Sequence, residues 1–153
     1  MKQRLNLIEK GSGAVKTMMG IKKYLDQSAI ENHLIELLSF RVSQINGCAF
    51  CLDMHSKELL AKGESAQRLF VMDAWRETPF FSEKERAVLA WAEALTKLDG
   101  SHVPDEVYEE VAKQFTETEL VDLTLAVTAI NTANRLNIAF GAPVGAYEVG
   151  LFN

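Results

Sequence analysis

The chain has 153 residues, of which 48% are hydrophobic and 24% are charged. This size and composition predict one globular domain, residues 1–153, whose core needs no disulfide. No apolar run approaches the ~20 residues that span a bilayer, and the N-terminal sequence lacks the apolar region of a secretory signal, so we expect a cytoplasmic protein that does not bind membranes. The formal charge of −5 arises from 21 acidic and 16 basic residues, and the basic residues are scattered, which argues against nucleic-acid binding.

Apolar residues recur at helical spacing through much of the first half of the chain. From Ile30 to Ile45 they are three or four positions apart, and Ser28-Ala29-Ile30-Glu31 matches a capping box, so we predict a helix of about four turns that ends near Asn46-Gly47. A second helix is predicted from at or just before Cys48 to Lys62, with Gly63 as its C-terminal stop.

Three further helices are predicted in the second half. The capping box Ser82-Glu83-Lys84-Glu85 begins one helix, and Pro104 opens a shorter one over Asp105 to Phe115. The box Thr116-Glu117-Thr118-Glu119 begins a long helix that ends at Gly141-Ala142-Pro143. No stretch alternates apolar and polar residues as a strand does, so the predicted fold class is all-α.

The long helix is apolar or small on nearly every side between Leu123 and Ala133, and it carries no charge until Arg135. Such a helix is buried within a domain or shared with another subunit. We expect a homo-oligomer; the alternative is a central helix that is wrapped by the other helices of the same chain.

The two cysteines of the chain form one Cys-x-x-Cys pair, which in a reducing compartment is typical of redox chemistry or metal binding. Cys48, Cys51 and His55 lie at i, i+3 and i+7 of one predicted helix, within an arc of about 60°. Cys48 lies in the first turn, where backbone N–H groups and the helix dipole stabilise a thiolate. Helix position therefore favours Cys48 as the reactive thiol, whereas nearness to His55 favours Cys51.

Glu36 is the predicted partner of His55. Glu36 lies about 14 Å before the end of the first helix and His55 about 10 Å after the start of the second, so an antiparallel hairpin turned at Asn46-Gly47 places them at similar depth. A carboxylate there would orient the imidazole as a proton acceptor for the thiols. The alternative for Glu36 is a solvated helix face.

Other uses of these residues remain open. A structural zinc site would need a fourth ligand beyond the two cysteines and His55, and His33 and His102 are the only other histidines. We expect His33 to be a surface residue. A disulfide reductase or redox sensor could use the same cysteine pair without a peroxide.

The segment from Glu36 to Gly63, ELLSFRVSQINGCAFCLDMHSKELLAKG, resembles the core of the AhpD-like alkylhydroperoxidases of the carboxymuconolactone decarboxylase superfamily. The segment from Ala129 to Gly145, AINTANRLNIAFGAPVG, resembles the C-terminal signature of the same group. The resemblance implies that Cys51 attacks the peroxide and that Cys48 resolves the sulfenic acid as a disulfide. It also implies that Glu36 and His55 relay the proton through water.

The same resemblance implies an enzyme without a metal or cofactor, regenerated by a lipoyl-bearing or thioredoxin-like dithiol protein and assembled as a trimer or hexamer. One departure is Phe50, which stands where AhpD enzymes carry a second histidine. Asn131, Asn134 and Arg135 belong to the signature, and we expect buried hydrogen bonding at a subunit contact from them. Membership in the superfamily also leaves a lactone decarboxylase-type lyase as an alternative.

Overall fold

The structure of the protein, a computed structural model, describes residues 2–98 and 102–152, and within these ranges it contains eight α-helices, one 3-10 turn and no β-strand. The predicted all-α fold class is confirmed. The elements in chain order are α1 (Leu7–Lys10), α2 (Ser12–Leu25), α3 (Asn32–Asn46), α4 (Ala49–Ala61), α5 (Ala66–Val71), the 3-10 turn (Met72–Glu77), α6 (Glu83–Thr96), α7 (Asp105–Ala112) and α8 (Glu117–Phe140). None of these elements is long and apolar enough to cross a membrane.

A tight turn joins α3 and α4 into a helical hairpin. Gly47 ends α3 in the left-handed conformation, with φ of 67°, and the Cys48 N–H donates to the Ser43 carbonyl at 3.0 Å. The Gly47 N–H also donates to the Gln44 carbonyl at 3.2 Å, so two of the last carbonyls of α3 are satisfied and the chain reverses within two residues. Cys48 then serves as the N-cap of α4. The predicted hairpin is therefore present, and Cys48 lies one position before the first turn.

Two of the three predicted capping boxes form. Ser82 with Glu85 caps α6 and Thr116 with Glu119 caps α8, with both reciprocal hydrogen bonds in each box. The box predicted at Ser28 is wrong, because the Ser28 hydroxyl donates to the Leu25 carbonyl and accepts from the Ile30 N–H, and so closes the end of α2.

The bounds of the helices differ slightly from the prediction. The first predicted helix begins at Asn32, after an N-cap residue without a side-chain cap. The helix that follows Pro104 ends at Ala112 rather than Phe115, because the Gln114 N–H bonds the Val111 carbonyl in a tighter turn. Gly63, with φ of 90°, follows the end of α4 as predicted.

The core lies on both sides of α3. One cluster joins α3 to α6, α7 and α8 around Leu38, Val88 and Leu123, which are fully buried. The other joins α3 to α4, α5 and the 3-10 turn around Leu37 and Met72.

The long helix α8 packs against α1, α2, α3, α4, α6 and α7 of its own chain. Leu123 and Val127 are fully buried among these helices, whereas Ala129, Ala133 and Leu136 line the cavity described below. The expected homo-oligomer stays a prediction.

A buried cluster of charges fastens α3 to α6. Arg41, 4% exposed, donates from Nε to Glu93 Oε1 at 2.9 Å. Trp75 Nε1 donates to the same oxygen at 3.0 Å, and Arg76 donates to Glu93 Oε2. Burial favours a raised pKa for Glu93, but hydrogen bonds from Arg76, Trp75 and Arg41 and the charge of Arg41 outweigh burial and lower it. Glu93 is therefore held as a carboxylate.

The sequence did not predict α1, α2, α5 or the 3-10 turn. The helix α2 follows Gly11, which offers no capping side chain, and only Leu25 of its residues is buried. It packs against α8, and residues of both helices line the cavity described below.

Candidate active site

Cys48 and Cys51 are joined in a disulfide at the start of α4, with their Cα atoms 5.3 Å apart. Each residue is 1% exposed. The Cys51 N–H, in the first turn of α4, donates to Cys48 Sγ at 3.4 Å. The predicted pair therefore forms at a helix N-terminus, where backbone N–H groups face sulfur. A zinc ion would need both cysteines in their reduced form.

Glu36 and His55 meet across the α3–α4 hairpin. His55 Nδ1 and Glu36 Oε2 are 2.8 Å apart, and the two side chains are 10% and 16% exposed. The predicted contact is present, and the alternative of a solvated Glu36 is wrong. Lys62 Nζ, at the end of the same hairpin, lies 3.5 Å from Glu36 Oε1. The carboxyl group is thus bracketed by an imidazole and an ammonium group.

The environment of Glu36 decides its charge. Burial alone would raise its pKa, but the hydrogen bond and charge of His55, followed by the charge and hydrogen bond of Lys62, outweigh burial and lower the pKa. Glu36 is therefore a carboxylate at neutral pH and can only accept hydrogen bonds. It follows that the proton of a neutral His55 lies on Nδ1, which leaves Nε2 as the basic nitrogen. Within residues 2–98 and 102–152, the buried Nε2 has no hydrogen-bond partner.

A cavity of about 530 Å³ lies beside this pair. Glu36 and His55 contribute to its wall, together with Phe50 and Met54 from the same face of α4. The remaining walls come from α1, α2, α3, α8 and the C-terminal segment, and they are mostly apolar, including Met18, Ile35, Ile130, Leu136, Phe140 and Phe152. The volume is within the range of small-molecule sites. The arrangement places the Glu36–His55 pair in a mostly apolar wall that also carries Glu58 and Asn137.

The C-terminal segment, residues 142–152, closes one side of the cavity and is fastened to α4. Glu58, which is 4% exposed, accepts a hydrogen bond from the Tyr147 hydroxyl and one from the Gly150 N–H at 2.7 Å. Burial and the hydrogen bond and charge of Glu58 raise the pKa of Tyr147 well above its usual range. The phenol therefore stays a donor to Glu58 at any ordinary pH.

A second attachment lies one turn closer to the disulfide. Asp53 accepts from the Gly145 N–H at 3.1 Å. Lys57 donates to the Gly145 and Tyr147 carbonyls at 3.3 and 3.1 Å, and its ammonium also lies 3.0 Å from Asp53. The helix that carries the cysteines thus also holds this wall of the cavity. Sequence reasoning missed these contacts.

The asparagines of the C-terminal signature hold α8 to α3. Asn46 Nδ2 donates to Oδ1 of Asn131 at 2.9 Å and of Asn134 at 2.8 Å. Asn134 Nδ2 donates in turn to the Ser43 hydroxyl at 3.1 Å, and Arg135 donates to the Asn131 carbonyl. These bonds lie within one chain, where Asn134 is fully buried and Arg135 is exposed. Their predicted place at a subunit contact stays a prediction.

Asn137, near the end of α8, has a different neighbour. Its Nδ2 lies 3.4 Å from Cys51 Sγ, and the residue also contributes to the cavity wall. The contact joins residues 86 positions apart, and the sequence carried no signal that singles out Asn137 from the other asparagines of α8.

His33 lies between two glutamates away from the disulfide. Its Nε2 is 3.5 Å from Glu64 and 3.4 Å from Glu85, and 41% of its side chain is exposed. Arg68 pairs with both glutamates and so offsets part of their negative charge. His33 is at the surface, as predicted.

The family model of the carboxymuconolactone decarboxylase family matches residues 13–94, a range that contains the cysteine pair, Glu36 and His55. The chain belongs to this family. Among proteins of this group, the uncharacterised protein YdfG of Bacillus subtilis strain 168 is 42% identical over 92% of this chain and 96% of its own length.

Solved structures share the fold of this carboxymuconolactone decarboxylase family member. A protein of unknown function from Agrobacterium tumefaciens, provisionally named as the antioxidant defence protein AhpD, superposes with a TM-score of 0.90 and is 39% identical. The match covers 95% of this chain and all of the other. The chain is thus an AhpD-like member of the superfamily. The debrominase Bmp8 shares the fold, with a TM-score of 0.76 at 21% identity over 91% of this chain and 75% of its own.

Proposed function

We propose that the protein is a thiol-dependent peroxidase that reduces hydrogen peroxide or small organic hydroperoxides through a Cys48/Cys51 dithiol–disulfide cycle. The observation that carries the proposal is the position of the cysteine pair. It lies one helical turn from a buried Glu36–His55 pair that lines an apolar cavity. A redox couple, a proton acceptor and a space for substrate therefore lie on one face of α4.

Glu36 and His55 supply the proton acceptor. The ionised Glu36 holds the imidazole proton on Nδ1, so Nε2 accepts, through water, the proton that the thiol loses as it becomes a thiolate. Burial of both side chains strengthens this interaction because little water competes for it. Phe50 stands where the family carries a second histidine, so the relay would contain the His55 imidazole alone. The apolar ring of Phe50 lies on the cavity wall at that position.

The proposed cycle has three steps. The Cys51 thiolate attacks the outer oxygen of ROOH, the O–O bond breaks, and the alcohol leaves with the proton that His55 received, which yields a sulfenic acid on Cys51. The Cys48 thiol then attacks this sulfur, the S–O bond breaks, water leaves, and the disulfide forms. A dithiol reductant returns the pair to its reduced form by disulfide exchange and is itself oxidised.

The proposal includes a partner and an assembly. A lipoyl-bearing or thioredoxin-like protein would supply the two electrons in the cytoplasm, and the chain would work as a trimer or hexamer. No metal or prosthetic group takes part in the cycle.

The test is a titration of free thiols in the reduced protein before and after one equivalent of cumene hydroperoxide, with intact-mass analysis. We expect both thiols to be lost with a mass decrease of two hydrogens. In Cys48→Ser the expected product is a trappable sulfenic acid on Cys51, and in Cys51→Ser the remaining thiol should react slowly.

Two outcomes would redirect the assignment. Thiols that survive the peroxide but are oxidised rapidly by a small disulfide would contradict the peroxidase and favour the disulfide reductase alternative. Full multi-turnover peroxidase activity in Cys48→Ser would contradict the roles given to the two cysteines.

A further inference from the structure

The two sulfur atoms of the pair receive their hydrogen bonds from different sources. Cys48 Sγ faces the backbone N–H of Cys51 at the helix N-terminus. Cys51 Sγ faces the side-chain amide of Asn137, which comes from the last turn of α8. The donor of Cys51 is therefore a side chain that can be replaced without altering α4.

The turn that ends α8 fixes the backbone of Asn137. Its backbone carbonyl accepts the N–H groups of Gly141 and Ala142, which end α8 in a left-handed turn. Its side chain is half-buried and contributes to the wall of the cavity as well as contacting the sulfur. Asn137 therefore contacts both Cys51, which is 1% exposed, and the space that substrate would occupy.

Three asparagines of α8 can be compared directly. Asn131 and Asn134 bond amide or hydroxyl groups of α3 and α6, where they fasten helices together. The Asn137 amide instead donates to Cys51 Sγ, a sulfur of the redox pair. Packing between helices explains Asn131 and Asn134, but it does not require a hydrogen-bond donor at position 137.

We propose that Asn137 is a catalytic residue that donates a hydrogen bond to the Cys51 thiolate and holds this sulfur toward the cavity. The proposal rests on the peroxidase cycle, and it assigns Cys51 rather than Cys48 as the attacking thiol. An uncharged amide stabilises the thiolate without placing a cation on the apolar wall. As the O–O bond breaks and Cys51 Sγ loses its negative charge, the same amide remains beside the new S–OH group. It is again beside the thiolate when the reductant splits the disulfide.

The test separates Asn137 from the rest of the cycle. In a Cys48→Ser background Cys51 is the sole thiol, and its alkylation by iodoacetamide is followed against pH. Asn137→Leu, similar in volume but without a donor, should move the midpoint of this profile upward by about one pH unit. At pH 7 the second-order rate with cumene hydroperoxide should fall about tenfold. Asn137→Asp should move the midpoint further, because a carboxylate repels the thiolate.

Asn131→Leu is the matched control, since it removes an asparagine amide from the same helix that bonds Thr96 and Asn46 rather than a sulfur. It should lower the stability of the fold and leave the alkylation midpoint unchanged. Asn137→Ala carries the same expectation as Asn137→Leu if the larger side chain prevents folding.

A folded Asn137 variant with the parental midpoint and peroxide rate would overturn the proposal. A midpoint that shifts as expected in a protein that does not react with peroxide would support the contact of Asn137 with the thiolate. That result would contradict only the peroxidase function.

Discussion

His55 and Glu36 lie 19 positions apart on two helices, yet His55 Nδ1 and Glu36 Oε2 are 2.8 Å apart. The contact depends on the turn at Gly47, which brings α3 and α4 into an antiparallel pair at the right depth. Because Glu36 is an acceptor only, the contact determines which imidazole nitrogen is left free to take a proton. The geometry of a turn thereby sets the protonation pattern of the proposed site.

Replacing Glu36 by glutamine should slow thiol oxidation. The variant keeps the shape of the side chain but removes the charge, and its amide can donate as well as accept, so the imidazole tautomer is no longer fixed. We expect the rate of oxidation by cumene hydroperoxide to fall by about a hundredfold. Stopped-flow tryptophan fluorescence of the reduced protein measures this rate.

Glu31→Gln provides the control, because Glu31 is exposed at the start of the same helix and pairs with Lys84 at the surface. Its oxidation rate should match that of the wild type. Equal rates in wild type and Glu36→Gln would remove Glu36 from the proposed proton relay.

The turn itself can be tested by adding a methyl group. Gly47 and Gly141 both have positive φ, 67° and 66°, so alanine is strained at either position. A Cβ on Gly47 would meet nothing within 4 Å, whereas one on Gly141 would lie 3.0 Å from the Lys2 carbonyl oxygen. We expect Gly47→Ala to cost about 1 kcal/mol of unfolding free energy and Gly141→Ala to cost more. Urea unfolding of both variants measures the difference, and the reverse order would contradict the argument.

The short-range parts of this structure could be predicted from the sequence. The two capping boxes at Ser82 and Thr116 and the glycine stop at Gly47 are local patterns whose partners lie within a few residues, and all three formed. The Glu36–His55 contact could also be predicted, because the rise per residue of each helix gives the distance of Glu36 and of His55 from the turn.

The parts that could not be predicted depend on long-range packing. Asn137 meets Cys51 across 86 positions, and Tyr147 meets Glu58 across 89, so no sequence spacing indicates either contact. Ser28 shows the opposite case, since it matches a local pattern but its hydroxyl bonds the end of the preceding helix instead. The helix α2 was missed because it buries little apolar surface and carries no capping side chain.

The buried charge cluster predicts how stability depends on pH. The pKa of Glu93 is lowered from its ordinary 4.5 in the folded protein, so its charge stabilises the fold fully above pH 4.5 and less as the pH falls through the folded value. Glu93→Gln should therefore lower the unfolding free energy by about 3 kcal/mol at pH 7, and the difference from wild type should shrink below pH 4.5. Urea unfolding between pH 7 and pH 3.5 measures both.

The exposed Glu77 gives the comparison for this pH series. Glu77→Gln should change stability little at any pH in the range. A deficit in Glu93→Gln that stays constant down to pH 3.5 would mean that the charge of Glu93 is not the source of its contribution.

The attachment of the C-terminal wall should depend on the Tyr147 hydroxyl. Tyr147→Phe keeps the ring in place but leaves buried Glu58 with only the Gly150 N–H and the more distant Lys62 ammonium, 3.9 Å away. We expect a loss of about 1–2 kcal/mol in the stability of this attachment. The exchange of the Gly150 amide hydrogen with solvent should then quicken about tenfold, as measured by NMR. The Gly145 amide, which is held by Asp53, should change less.

Tyr108→Phe is the control for this prediction. Tyr108 is half-exposed, and its ring packs near Trp91 rather than against the C-terminal segment. Unchanged exchange at Gly150 in Tyr147→Phe would show that the Tyr147 hydroxyl does not contribute to this attachment.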